Sequence, residues 1–339
     1  RSMAEAAKYL RTVCFGFPFL AVSLCVTGIL QGKGDARTPM IIAAIMNVVN
    51  ILVGGTMIFG WLGNPPLGLQ GAAVGLVAAQ ITSSLCGGYA LFNKRNGLLH
   101  GALRVSYLRF RGKVLKEIYR IGIPSGLETI MWSLASILLS RVMLSFGEIA
   151  YAANQLGLQA ESLSEMPALG FGVAATSFTG QAVGAMDGKL GKRYIREIEK
   201  GSMIIMTFGS CLLVIFPHFC MRLLTDDPEI IALGAVYLRL MGCIQIPQNL
   251  QRVFAGALKG AGHTKIPMFI AMAGLWGIRV PLAFLLTYGF HLGIQAIWAI
   301  VCIDQTVRFI LSYVLYRKYR VFDKLEEQKA TAELQAPTV

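Results

Sequence analysis

GILQGKGDARTP occupies positions 28–39 and GALKGAGHTKIP occupies 256–267. Five of the twelve positions agree at a constant offset of 228 residues: Gly28/Gly256, Leu30/Leu258, Gly32/Gly260, Gly34/Gly262 and Pro39/Pro267. Each copy reads as a helical hairpin. Gly32 and Gly34 can close a helix C-terminus with φ > 0, and Pro39 suits the first turn of the next helix. The match extends outward. Tyr9-Leu10-Arg11 recurs as Tyr237-Leu238-Arg239 at the same offset, and Leu67-Gly68-Leu69-Gln70 recurs as Leu292-Gly293-Ile294-Gln295 after a shorter loop. Three consecutive helices are thus written twice in the same orientation, a parallel repeat.

The composition says where those helices sit. Of 339 residues, 55% are hydrophobic and 14% charged, whereas soluble domains carry about a quarter charged residues. The chain is read as an all-α polytopic membrane protein, with nine spans near 9–31, 39–61, 68–92, 121–146, 152–183, 199–222, 232–258, 266–288 and 292–316. The net charge of +13 follows the spans rather than a nucleic acid. On one side, 22 of the 31 Lys and Arg fall in 93–120, 184–200, 317–339 and the two hairpins, while the opposite loops 62–67, 147–151, 223–231 and 289–291 hold none. The basic side, with the C-terminus, is expected to be cytoplasmic. Trp61, Tyr151 and Tyr288 fall at the outer ends, where interface aromatics belong. The seven cysteines and four histidines are scattered, which disfavours a metal site or an enzyme's Cys/His cluster.

Helices four to six have no earlier counterpart. Repeat symmetry leads us to expect roughly 110 residues, three helices, before Arg1, and twelve spans in two six-helix lobes. On this plan residues 1–95 end the N-terminal lobe, 96–117 form a basic cytoplasmic linker, 118–320 make a complete C-terminal lobe and 321–339 a disordered cytoplasmic tail.

Ionisable groups inside hydrocarbon mark function or pairing. Glu161 and Glu165 lie one turn apart, Glu161 about 14 Å from the outer end of its helix by the 1.5 Å rise per residue. Pro167 frees the carbonyl of Leu163, an oxygen that could face a cation. Glu128 sits near the cytoplasmic start of the fourth helix. Arg279 and Asp304 are mid-span, with Arg308 at i+4 from Asp304 for local pairing. Gln245, Gln248, Asn249 and Arg252 form a polar stripe around Pro247. Asn47 with Asn50, and Asn154 with Gln155 and Gln159, form others. Together they suggest a hydrated path, though hydrogen bonds between helices also explain such stripes.

The hairpin QGKGDARTP and its copy, GIPSGLETIMWS at 122–133, and AESLSEMPALGFGVAATSFTGQAVGA at 160–185 resemble the multidrug and toxic compound extrusion (MATE) family, in its NorM/DinF-like branch. The resemblance implies a bacterial cytoplasmic-membrane exporter with no enzymatic activity and no cofactor. It implies alternating access of a central cavity, and export of small apolar, often cationic compounds coupled to entry of H⁺ or Na⁺. Glu161 is the first candidate for that ion, including a transient Na⁺, and a monomer in the bilayer is expected. Gln248 stands where some members carry an Asp, which leaves the ion open. The alternative is a flippase for lipid-linked or polysaccharide precursors, and a third reading is an intramembrane transferase.

Overall fold

The computed structural model describes residues 2–60, 67–93, 112–323 and 325–327. Every regular element among them is helical. The chain order is α1 Ser2–Lys33, α2 Arg37–Phe59, α3 Leu69–Phe92, α4 Gly112–Leu144, α5 Glu148–Gly184, α6 Gly188–Ile215, α7 Pro217–Arg222, α8 Pro228–Gly260 and α9 Lys265–Met272. A π-helical stretch, Ala273–Arg279, follows α9, then α10 Val280–Phe284, a π-turn Leu285–Gly289, and α11 Ile294–Tyr319. Among the described residues, eight helices are long and apolar enough to cross a membrane. Of the nine spans expected, α5 is the one that does not qualify. Its Asn154, Gln155, Gln159, Glu161 and Glu165 lower its hydropathy across successive turns.

The span limits shift in ways the caps explain. α6 begins at Gly188, well before residue 199, because the Asp187 side chain accepts the Leu190 N–H at 2.9 Å and caps it inside the basic segment. The same span ends early at Ile215, since Pro217 cannot donate to the ladder and instead opens the short α7. The eighth of the expected long helices is not uniform, as the π-helical stretches widen its turns. The tail, expected to be disordered from 321, continues as helix to Glu327 apart from Lys324, which is not described. Its Val321, Phe322 and Leu325 are buried against Ala175, Ala182 and Ile195. Most of the linker (94–111), the outer loop 61–66 with Trp61, and the tail from 328 lie outside the described residues.

The chain divides into two compact units, 1–111 and 112–339. In the first, α1 and α2 both pack on α3. The α2–α3 crossing is made of glycine: a Cβ on Gly75 would fall 2.5 Å from the Gly54 Cα, and one on Gly71 2.6 Å from the Met57 backbone. Without a hydrophobic drive between helices in lipid, such close backbone approach supplies the packing. In the second unit α8 is the axle, packed by α5, α6 and α11. Its Leu238 and Met241 share a core with Leu213, Met221 and Trp298. Gly256 and Gly260 press against the carbonyls of Gly172 and Thr176 on α5, where a Cβ would come within 2.4 and 2.3 Å.

The repeated hairpins close in the same way. After α1, the Gly34 N–H bonds the Gln31 carbonyl at 2.9 Å and the Asp35 N–H bonds Leu30 at 3.0 Å. After α8, the Gly262 N–H bonds Lys259 at 3.0 Å and the His263 N–H bonds Leu258 at 2.9 Å. All four residue pairs differ by 228. The φ angles are +91° at Gly34 and +82° at Gly262, and α2 and α9 start at Arg37 and Lys265, again 228 apart. In the first copy Asp35 also accepts from the hydroxyl and amide of Thr38 at 2.6 and 3.1 Å. The Thr38 hydroxyl, more than any other contact, holds its carboxyl below the usual range. The α5–α6 turn uses the same motif with Met186 at φ +54°. A left-handed residue with a Cβ costs about 1–2 kcal/mol. Gly34→Ala and Gly262→Ala should therefore each lower the thermal midpoint in detergent, and Met186→Gly should raise it. A scan of the three variants against the parent protein measures both signs.

Candidate functional site

The chemistry gathers on α8 and the elements that face it. Glu161 and Glu165 sit one helical turn apart on α5, so both meet α8. Glu161 is 5% exposed, and its Oε2 accepts the Tyr237 hydroxyl at 2.6 Å. Gly157 makes that possible, because a Cβ there would lie 2.4 Å from the Tyr237 ring. The Tyr237 ring in turn meets Trp298 edge-on at 5.3 Å, and the Trp298 indole N–H donates to Asn154 Oδ1 at 3.1 Å.

Glu165 has a different partner. Arg252 forms an ion pair with it, and Gln248 Nε2 donates to the same oxygen at 3.3 Å. Gln245, on the same stripe, accepts from the Ser164 hydroxyl at 2.7 Å. Glu128 on α4 meets Lys259 from the last turn of α8, at 2.8 Å. Asn249 is buried, and neither side-chain atom has a partner among the described residues.

Asp304 is fully buried on α11. One of its oxygens takes two guanidinium groups, Arg279 at 2.8 Å and Arg308 at 2.7 Å. The expected local pairing of Asp304 with Arg308 is present, and Arg279 joins it from the end of the π-helical stretch. Gly274 is what lets the segment lie against this cluster: a Cβ there would come 2.3 Å from Asp304 Oδ1 and 2.6 Å from the Arg308 stem.

Two cavities open among these residues. One, of about 420 Å³, is lined by Glu128, Glu165, Gln248, Arg252, Lys259 and Arg308. The other, of about 320 Å³, is more aromatic, with Trp132, Tyr237 and Trp298 beside Met143, Gln155 and Arg279. An apolar groove of about 260 Å³ runs past Leu163, Pro167 and Phe208. Leu163 and Pro167 are exposed there.

The second unit thus brings Glu128, Glu161, Glu165, Gln155, Gln245, Gln248, Asn249, Arg279 and Asp304 onto the faces around α8. Asn47 lies apart from them in sequence and unit, exposed on α2. Three partners escaped the sequence reading. Tyr237 stood out only as part of the repeat, and Lys259 only as a marker of the basic side. Trp298 gave no signal, since an aromatic in a membrane helix reads as packing.

A family model described as MatE matches residues 1–56 and 124–285, well over half of the chain. The chain is 29% identical over 313 residues to the protein named "Probable multidrug resistance protein NorM" of Thermotoga maritima, covering 92% of this chain and 67% of that one. It is 26% identical over 312 residues to "Probable multidrug resistance protein YoeA" of Bacillus subtilis, with coverage of 92% and 67%. Among solved structures, a crystal structure of MATE in the bent conformation superposes with a TM-score of 0.84 at 23% identity, over 96% of this chain and 70% of that one. An outward-facing MATE family multidrug resistance transporter gives 0.84 at 23%, over 94% and 69%. This chain spans about two thirds of the length of those relatives, and the structural likeness fixes the fold. It is a multi-pass membrane protein of the MatE family, the multidrug and toxic compound extrusion transporters, in the NorM-like branch.

Proposed function

We propose that the protein exports small organic compounds, multidrug fashion, in exchange for an inward-moving cation, H⁺ or Na⁺, in a bacterial cytoplasmic membrane. The basic loops and C-terminus face the cytoplasm, as the Lys and Arg distribution supports. The working unit is a monomer of two six-helix lobes that opens alternately to either side.

One observation carries the reading. Two carboxylates are buried among the described residues, Glu161 and Asp304. Asp304 is met by two guanidinium groups, whereas Glu161 is met by a neutral phenol. A carboxylate held in a membrane bundle is costly while its charge is uncompensated, and removing or supplying a compensating cation is worth several kcal/mol. Binding H⁺ or Na⁺ at Glu161 supplies it. The Tyr237 hydroxyl keeps the carboxylate aimed and its second oxygen open to the ion. Beside it, the cavity bordered by Trp132, Tyr237 and Trp298 offers the exposed Trp132 ring, whose π face attracts apolar cations.

The cycle follows from exclusive binding. Substrate enters the inward-open cavity and is held by the charged Glu161; the external cation then takes that carboxylate, and the loss of its free negative charge weakens the hold on substrate. Without that exclusion the cation gradient would dissipate with no export. Glu161→Gln mimics the compensated carboxyl permanently. In cells expressing the protein, it should cut efflux of a fluorescent cation such as ethidium by about tenfold or more. Tyr237→Phe, which removes one hydrogen bond, should cost about twofold to tenfold. Undiminished efflux in Glu161→Gln would take this carboxylate out of the mechanism.

The Asp304 cluster is given a structural part. Asp304→Asn leaves two buried guanidinium groups without their anion, and breaking a buried pair costs about 3–5 kcal/mol. The variant should therefore lose folded protein on heating in detergent well below the parent, whereas Glu161→Gln should not. A midpoint for Asp304→Asn equal to the parent's would assign the cluster elsewhere.

A further inference from the structure

We infer that the 420 Å³ cavity of the second unit is a binding site for an organic anion, a carboxylate on an aromatic body being the simplest class. The inference rests on the cavity alone and stands whether or not Glu161 couples transport.

The charges on the wall decide the sign of the ligand. Three cations line the cavity, Arg252, Lys259 and Arg308, against two carboxylates, Glu128 and Glu165. Each carboxylate already has its own cation, Lys259 for Glu128 and Arg252 for Glu165. The third cation, Arg308, shares the single carboxylate of Asp304 with Arg279, so two positive groups divide one negative charge. An incoming organic cation would have to displace an ion pair before it found a partner. An incoming anion meets a surplus positive charge.

The hydrogen-bond donors point the same way. Arg308 is 6% exposed, and its Nη2 serves Asp304 and the Gln305 side chain at 2.7 and 3.0 Å. Its Nε has no partner among the described residues, and neither has Arg252 Nη1. A guanidinium has five N–H groups in a fixed fork and suits a carboxylate's two oxygens. Both atoms are shut off from the cavity as they stand; a guanidinium that turns toward a bound anion makes the missing bonds and recovers the cost of leaving a buried, charged donor unpaired. Gln248, also on the wall, adds an amide.

Size and lining exclude a simple inorganic ion as the natural fit. The volume lies in the range of organic-ligand sites, which run from about 300 to 1,000 Å³. Leu169, Val173, Ala255 and Ala271 supply apolar walls, and Trp132 borders this cavity and the aromatic one alike. A flat hydrocarbon body can lie along Trp132 while its carboxylate reaches Arg252 and Arg308.

The test compares two probes of one shape and opposite charge, 2-naphthoate and 2-naphthylmethylammonium. Each is titrated calorimetrically into the purified chain in uncharged detergent, against the same detergent without protein. We expect 2-naphthoate to bind about tenfold more tightly, the yield of one charge-assisted hydrogen bond. The double variant Arg252→Gln/Glu165→Gln removes the wall pair without altering net charge. It should weaken 2-naphthoate about tenfold and leave the ammonium within about twofold. If that variant does not purify folded, Arg252→Lys, which keeps the charge and loses the planar fork, is read in its place, and it should weaken 2-naphthoate and leave the ammonium within about twofold. Tighter binding of the ammonium, or 2-naphthoate affinity unchanged in the folded variant, overturns the inference. Ethidium efflux is read separately, so a failure here leaves the coupling role of Glu161 untouched, and the reverse holds too.

Discussion

Most charged groups that the second unit takes inside are met by a group from a different helix, and α8 is where most of those meetings happen; Arg308, paired with Asp304 on its own helix, is the exception. A lone charge in a membrane bundle is expensive, so its partner must be delivered by tertiary packing. Arg252 and Lys259 reach out from α8 to Glu165 on α5 and Glu128 on α4. Tyr237, also on α8, serves Glu161. The close α5–α8 crossing, set by Gly256 and Gly260 against the α5 carbonyls, holds those donors in reach. Packing and electrostatics are the same fact here: a bulkier residue in that seam would part the helices and strand the charges.

The pattern also separates two kinds of carboxylate. Asp304, doubly matched and closed off, behaves as mortar. Under the proposed function Glu161, matched by a phenol, is where a mobile ion completes the balance. That difference comes from neighbours and not from depth, since both are buried. It also explains why a cavity with as many acids as this one can still present a positive face. Its acids are already spoken for.

Much of this was legible in the sequence, and the limits are physical. The duplicated hairpin announced itself because glycine at a left-handed position is a local requirement, and both copies meet it with hydrogen bonds at the same offset. Asp304 and Arg308 could be paired on paper because they share one helix face. The partners of Glu161 and Glu165 could not, being 76 and 87 residues away. Only the angle and register of the α5–α8 crossing select Tyr237 over its neighbours. Lys259 was counted as a marker of sidedness, yet its long stem turns back to Glu128, and a sequence does not say which way such a stem will lie. The break at Pro217 was missed because an apolar run hid it, and the widened turns after α9 leave no residue signature at all.

Those widened turns have a geometric meaning of their own. A π-turn holds one residue more than an α-turn, so the stretch Ala273–Arg279 stores a spare residue within its ladder. Passing that residue along the helix would swing each side chain it crosses through about 100°, the angle between successive residues on a helix of 3.6 per turn. Arg279, at the trailing edge of the stretch, would be turned off Asp304 by such a step with no bending of the helix axis. The spare residue thus lies beside the buried Asp304 cluster, where a one-residue shift would reach Arg279 first.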